Sequence, residues 1–196
     1  NQRQWLLLLD AAEQPPKLPE GMRSRMTPAL QWMVNRPAHS VLRYTAQSHI
    51  DYSSGPLERT RELKAFVQLP LDFNPRTLAL AEEMRADPQL QGKGNMAFVN
   101  AALQRLRTQG YTYTLDPGVY GVHSADEFWF DRKEGFCEHI ASAFAVLMRA
   151  LDIPARMVTG YHGGEINGFD GYWTVRQADA HAWTEVWIEG RGWVRV

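Results

Sequence analysis

The stretch "EGFCEHIASAFAVLMRALDIPARMVTGY", residues 134–161, decides the fold and contains the only cysteine, Cys137. From Glu138 to about Leu151, the apolar residues Ile140, Ala141, Phe144, Ala145, Leu147, Met148 and Leu151 cover most of a helical circumference. A helix patterned this way is sunk in a core rather than laid on a surface. Pro154 ends it, and "ARMVTGY" then reads as a buried strand. Cys137 therefore falls in the first turn. Unpaired backbone N–H groups and the positive end of the helix dipole there favour thiolate over thiol. The same N–H groups suit an oxyanion forming beside the sulfur. The competing reading of a lone cysteine is a small buried hydrophobe.

A cysteine nucleophile needs a base or an imidazolium partner. His139 lies two residues further along the same helix and so faces another way. His181 stands in "AHAWTEVWI", residues 180–188. Strand alternation puts His181, Trp183, Glu185 and Trp187 on one face, and Ala182, Thr184, Val186 and Ile188 on the other. A face mixing imidazole, carboxylate and two indoles is that of a strand lining a cleft. "YWTVRQ", residues 172–177, precedes it as a strand, and the turn "EGRG", residues 189–192, leads into a last one, "WVRV".

Upstream, "NPRTLALAEEMRAD", residues 74–87, starts with the Asn-Pro pair of a helix beginning, and "NMAFVNAALQRLRTQ", residues 95–109, has apolar residues at helical spacing. "YTYTL", residues 111–115, is a short strand. Helices followed by an antiparallel meander make an α+β layout. The first 70 residues read as a separate β-rich module, with strands at "WLLLLD" (5–10), within residues 39–51 and at "LKAFVQLP" (63–70). Residues 71–196 then form the catalytic core.

Composition narrows the function classes. With 44% hydrophobic residues in 196, the chain can bury a sizeable interior, and its formal net charge of −1 offers no nucleic-acid surface. One cysteine allows no internal disulfide, and no apolar run is long enough to span a membrane. Asn1 reads as the start of an excerpt, with any membrane anchor lying in parts of the parent protein outside it.

The pair "EGFCEHIASAFAVLMRALDIPARMVTGY" and "AHAWTEVWIEGRGWVRV" resembles the core motifs of the transglutaminase-like superfamily, and in particular bacterial TgpA-type membrane transglutaminases. The likeness covers about residues 124–196. It implies a papain-like α+β fold, with the cysteine at the N-terminus of a buried helix packed on an antiparallel sheet, and a Cys-His-Asp triad. Cys137 is then the nucleophile and His181 the base, with the aspartate expected just after Val196 and absent from this chain. In the family an indole or side-chain amide can complete the oxyanion hole, and Trp129, Trp183 and Trp173 are open for that place. Tyr161 and His162 are expected at the cleft mouth in contact with substrate. Asp179 reads as structural, and Asp126, Glu127 and Asp131 as either cleft-lining or solvated.

The implied activity is protein-glutamine gamma-glutamyl transfer, with a glutamine-bearing protein or peptide as donor and a primary amine as acceptor. A thiol peptidase, amidase or deamidase on the same triad is the alternative, and a non-catalytic binding domain the second. No cofactor and no metal are expected. Cys137, His139, His162 and His181 do not have zinc-ligand spacing, and "GGEINGFDG" (163–171) is not an EF-hand loop. The implied location is extracytoplasmic, with a cell-envelope substrate.

Overall fold

The computed structural model describes residues 4–196 and divides into two compact units, one ending at Ser53 and one running from Ser54 to Val196. In the first, β1 (Trp5–Leu6), β2 (Ser24–Met26) and β3 (Trp32–Val34) form an antiparallel sheet ordered β1-β3-β2. Leu6, Trp32 and Val34 are its small core, flanked by Leu18, Met22 and Tyr44. The strand expected within residues 39–51 reduces to single bridges, Thr45 to Lys17 and Ser48 to Ala12. The Tyr44 hydroxyl anchors this loop by donating to Leu7 O at 2.7 Å.

Residues 54–70, grouped by sequence with the N-terminal module, pack within the second unit. The expected strand at 63–70 is instead a 3₁₀ turn, Arg61–Val67. Its apolar residues cover the core: Leu63 is buried, and the Phe66 ring meets Trp193 edge-on at 4.9 Å.

The helices follow sequence closely. α1 (Pro75–Ala86) starts at the expected proline and α2 (Asn95–Thr108) spans the second periodic stretch. β4 (Thr112–Tyr113) pairs in parallel with β5 (Glu134–Gly135), the lead-in to Cys137. Between them, α3 (Ser124–Asp126) runs into a π-helical turn, Glu127–Arg132. α4 (Cys137–Ala150) buries Ala141, Phe144, Leu147 and Met148. Each fully buried Leu or Met contributes about 1.5–3 kcal/mol to that packing. β6 (Ala155–Tyr161), the short hairpin β7 (Glu165–Ile166) and β8 (Trp173–Thr174), β9 (Ala180–Ile188) and β10 (Gly192–Arg195) complete the chain. The main sheet is antiparallel, ordered β10-β9-β6. Ala182, Thr184 and Val186 face the core, and Thr184 Oγ1 donates to Ala141 O of α4 at 2.8 Å. The fold is the expected α+β class, with the cysteine-bearing helix packed on an antiparallel sheet.

The three acidic residues upstream of the cysteine hold this scaffold together. Asp126 is buried and caps α1 from outside: its carboxylate accepts from Arg76 N (3.0 Å), Thr77 N (2.7 Å) and Thr77 Oγ1 (2.6 Å). Asn74, with φ 52°, makes the reciprocal bond by accepting from Ala125 N at 3.0 Å. Glu127 pairs with Arg132 at 3.1 Å and Asp131 with Arg76 at 2.8 Å. Asp126 therefore does not line a cleft. Losing its carboxylate orphans buried donors at a helix N-terminus, where each charged cap is worth most. Asp126→Ala is expected to cost about 2–4 kcal/mol, read as a lowered urea midpoint at unchanged slope.

Candidate active site

Cys137 is the first residue of α4 and is half-buried. Phe136, extended at φ −107° and ψ −175°, turns the chain into the helix. The helical ladder opens with His139 N and Ile140 N, both donating to Phe136 O at 3.0 and 3.2 Å. The Cys137 and Glu138 amides precede that ladder and are the donors that a helix start leaves over. Gly135 makes the turn possible: a Cβ there would stand 2.7 Å from His139 Cβ. His139 itself lies between the rings of Tyr120 (4.5 Å) and Phe136 (4.4 Å), a packing position.

Two links bring His181 toward the start of α4. Thr184, three residues beyond His181, holds Ala141, one helical turn beyond Cys137. Tyr113, paired with Gly135 in the strand that delivers Cys137, also borders a cleft of about 300 Å³ with His162, Ala178, Asp179, Ala180 and His181. His181 and Tyr113, the strand partner of Gly135, thus flank one space. Partial burial, then the neighbouring His162 and the Arg195 guanidinium, hold the His181 imidazole below the usual histidine range. These surroundings favour its neutral form, the form of a base.

The other expected residues separate. His162 is brought in: its ring meets that of His181 at 5.4 Å. Tyr161, on the strand before it, donates its hydroxyl to Gln177 Oε1 at 3.0 Å. Trp129 is not in the cleft. Its ring is fully buried and its N–H is given to Ala143 O at 3.1 Å, so it cannot offer that proton to an oxyanion. Trp183 lies on the His181 face, under the Arg195 guanidinium at 4.1 Å. Its N–H points at Glu185 Oε1, 3.4 Å away and four residues beyond His181 on β9. Trp173 is exposed on the β7–β8 hairpin. The amides that adjoin the sulfur are the leading ones of α4, on Cys137 itself and on Glu138.

Asp179 borders the cleft, but its carboxylate accepts from Arg176 N at 2.6 Å and its carbonyl from His162 N at 3.0 Å. Both bonds shape the turn before β9, in line with a structural part. Among the described residues no three His, Cys, Asp or Glu side chains gather as a metal would need. Tyr113 and Arg195 are site residues that sequence reading missed. Arg195 could have been found from strand register, because it pairs with Glu185 and so shares a face with His181. Tyr113 depends on a parallel pairing that no local pattern announces.

A family model described as the transglutaminase-like superfamily matches residues 79–196. Over 98% of its length the chain is 39% identical to a Pseudomonas aeruginosa protein named protein-glutamine gamma-glutamyltransferase, covering 27% of that protein. It is 32% identical over 66% of its length to the Bacillus subtilis protein YebA, covering 18% of it. Among solved structures it superposes along its full length on the periplasmic domain of TgpA from Pseudomonas aeruginosa, with a TM-score of 0.83, 35% identity and 65% of that domain covered. The chain thus spans only about a quarter or a fifth of the curated relatives it matches. Among the described residues no helix is long and apolar enough to cross a membrane.

Proposed function

The chain belongs to the transglutaminase-like superfamily, and we propose that it carries the acyl-transfer site of an extracytoplasmic transglutaminase, with Cys137 as nucleophile and His181 as acid and base. The observation that carries this reading is the position of Cys137 as first residue of a buried helix that Thr184 ties to the strand bearing His181.

The chemistry is set by that placement. The Cys137 sulfur, as thiolate, attacks the carbon of a glutamine carboxamide, and the oxygen that becomes negative faces the leading amides of α4. Protonated His181 gives its proton to the departing nitrogen, which leaves as ammonia, and a thioester remains on Cys137. A primary amine then attacks the thioester carbon while neutral His181 takes the proton from its nitrogen. The C–S bond breaks, the isopeptide is released and the thiolate returns. A third residue, an aspartate following Val196, fits the register. Val196 N donates to Thr184 O at 3.0 Å, so the next residue would stand opposite Trp183 on the face that carries His181. There its carboxylate would orient the imidazole and stabilise its protonated form.

A hydrolytic outcome has its own support. The dry walls that would favour an amine over water are thinner than the chain's seven tryptophans suggest. Trp129 and Trp187 are buried in the core, Trp193 packs on Phe66, and the cleft is bordered by Tyr113, two histidines and Asp179. Water can therefore compete for the thioester, giving deamidation. Likeness to a periplasmic domain supports a location outside the cytoplasm and an envelope protein or peptide as donor.

Mass spectrometry of a glutamine-rich protein incubated with the enzyme and a labelled primary amine tests the partition. Amine adducts that depend on Cys137 are expected, accompanied by some carboxamide converted to carboxylate. Conversion to carboxylate alone would assign a deamidase, and cleavage of the backbone a peptidase.

A further inference from the structure

The contacts around His181 include one residue whose part in the site goes beyond lining it. We propose that His162 is a positioning residue for His181, itself locked by Arg195 so that the two imidazoles meet edge to face. The proposal deepens the reading of His181 as acid and base and rests on it.

Two anchors converge on His162 from different elements, and a third contact carries their effect to His181. Its backbone N–H donates to Asp179 O at 3.0 Å, in the turn that delivers β9. Arg195 of β10 reaches its Nδ1 at 2.9 Å. A guanidinium carries donors and no acceptor, so the ring accepts at Nδ1 and bears its proton on Nε2. The third contact is the output: the His162 and His181 rings lie 5.4 Å apart at 75°. Such pairs prefer this edge-to-face arrangement, and here it limits the plane the base can take.

His162 needs this anchoring because two glycines come directly after it. Gly163 and Gly164 have φ of +85° and +154°, leaving His162 at the edge of a segment free of side-chain restraint. Arg195 in turn has its guanidinium over Trp183 at 4.1 Å, itself seated over Gly160, where a Cβ would come within 2.9 Å of the indole. Gly160 pairs with His181 across the strands. The charged and titratable groups that face His181 are thus His162 from the end of β6, Arg195 from β10, Asp179 from the preceding turn and Tyr113 from β4. Of these, Arg195 acts both through His162 and by its own charge, which disfavours a second cation beside it.

The test is a histidine NMR titration joined to kinetics, on wild type, His162→Phe, Arg195→Met and the double variant, all in the chain extended past Val196. In wild type the ¹⁵N shifts of His162 should show the Nε2–H tautomer, and Arg195→Met should mix the tautomers. The same variant should raise the His181 midpoint as a neighbouring cation is lost. Each single variant should lower kcat about tenfold with KM little changed, as misplacement of a catalytic group does. The double variant should be no worse than Arg195→Met alone, because His162 acts only through the contact that Arg195 fixes. A Nδ1–H tautomer in wild type, or an unmoved His181 midpoint, overturns the proposal, as does wild-type kcat in both folded variants. The NMR arm needs no turnover, so an inactive wild type with the expected spectra would sink the transglutaminase reading and leave this one standing.

Discussion

Cys137→Ala is expected to lower acyl transfer by roughly 10⁴-fold or more, since removing a covalent nucleophile leaves only binding and the oxyanion donors. The stability of the protein should change by less than about 1 kcal/mol. Both halves follow from one position. At the first residue of α4 the side chain is half-buried and closes no core contact of the kind Leu147 or Met148 makes. Alanine suits a helix start with no cap to lose. Initial rates of amine incorporation and a urea melt read the two quantities separately. An inert, fully packed cysteine would give the reverse pattern, with rates intact and stability down. Cys137→Ser should restore the geometry without the nucleophilicity and stay near the alanine level.

His181→Gln comes second in expected size, a loss of roughly 10²–10⁴-fold. Glutamine keeps polarity and approximate length on β9 but carries no proton to give at neutral pH, so both the protonation of ammonia and the deprotonation of the amine are lost. The core face of β9, Ala182, Thr184 and Val186, is untouched, and folding should be too. The pH dependence gives a sharper check. Residues 1–196 alone surround His181 with partial burial, His162 and Arg195, all of which lower its pKa. In a Cys137→Ala background, which removes coupling to the thiol, its NMR midpoint should therefore fall below that of an ordinary histidine. Extending the chain with an aspartate after Val196 should raise that midpoint, because a carboxylate favours the imidazolium. The acid limb of kcat should follow the midpoint in wild type and vanish in His181→Gln.

How much of this was legible in sequence depended on whether a local pattern determined the contact. α4, β6 and β9 were readable as elements because their periods differ and their ends carry Pro154 and the turn at 189–192, and the cysteine's place followed from the helix start. But β6, read as buried, is an edge strand with Met157 and Thr159 exposed. Residues 39–51 misled because β-forming side chains guarantee no partner: only Thr45 and Ser48 find bridges. The 63–70 run was apolar enough for a strand, but its apolar residues cover the core from a 3₁₀ turn. The π-helical turn at Glu127–Arg132 has neither a helical nor a strand period, and so Trp129 stayed open between packing and the oxyanion hole. An indole reads the same whether its N–H meets Ala143 O or a substrate oxygen. In the site, His181 was legible from alternation and His162 was expected at the cleft mouth, while the contact of Arg195 with His162 depends on register across three strands. Asp126 was ambiguous for the same reason, since its partners lie some fifty residues upstream in α1.

The most direct test of the central claim, that Cys137 forms an acyl-enzyme, is intact mass after rapid mixing with excess glutamine peptide and acid quench. Cys137 is the chain's sole thiol, so the site of any thioester is unambiguous. The expected spectrum shows the protein plus one peptide less ammonia, with the adduct removed by hydroxylamine and missing in Cys137→Ala. Turnover without any such adduct, or an adduct that survives hydroxylamine or persists in Cys137→Ala, would contradict the assignment of the nucleophile.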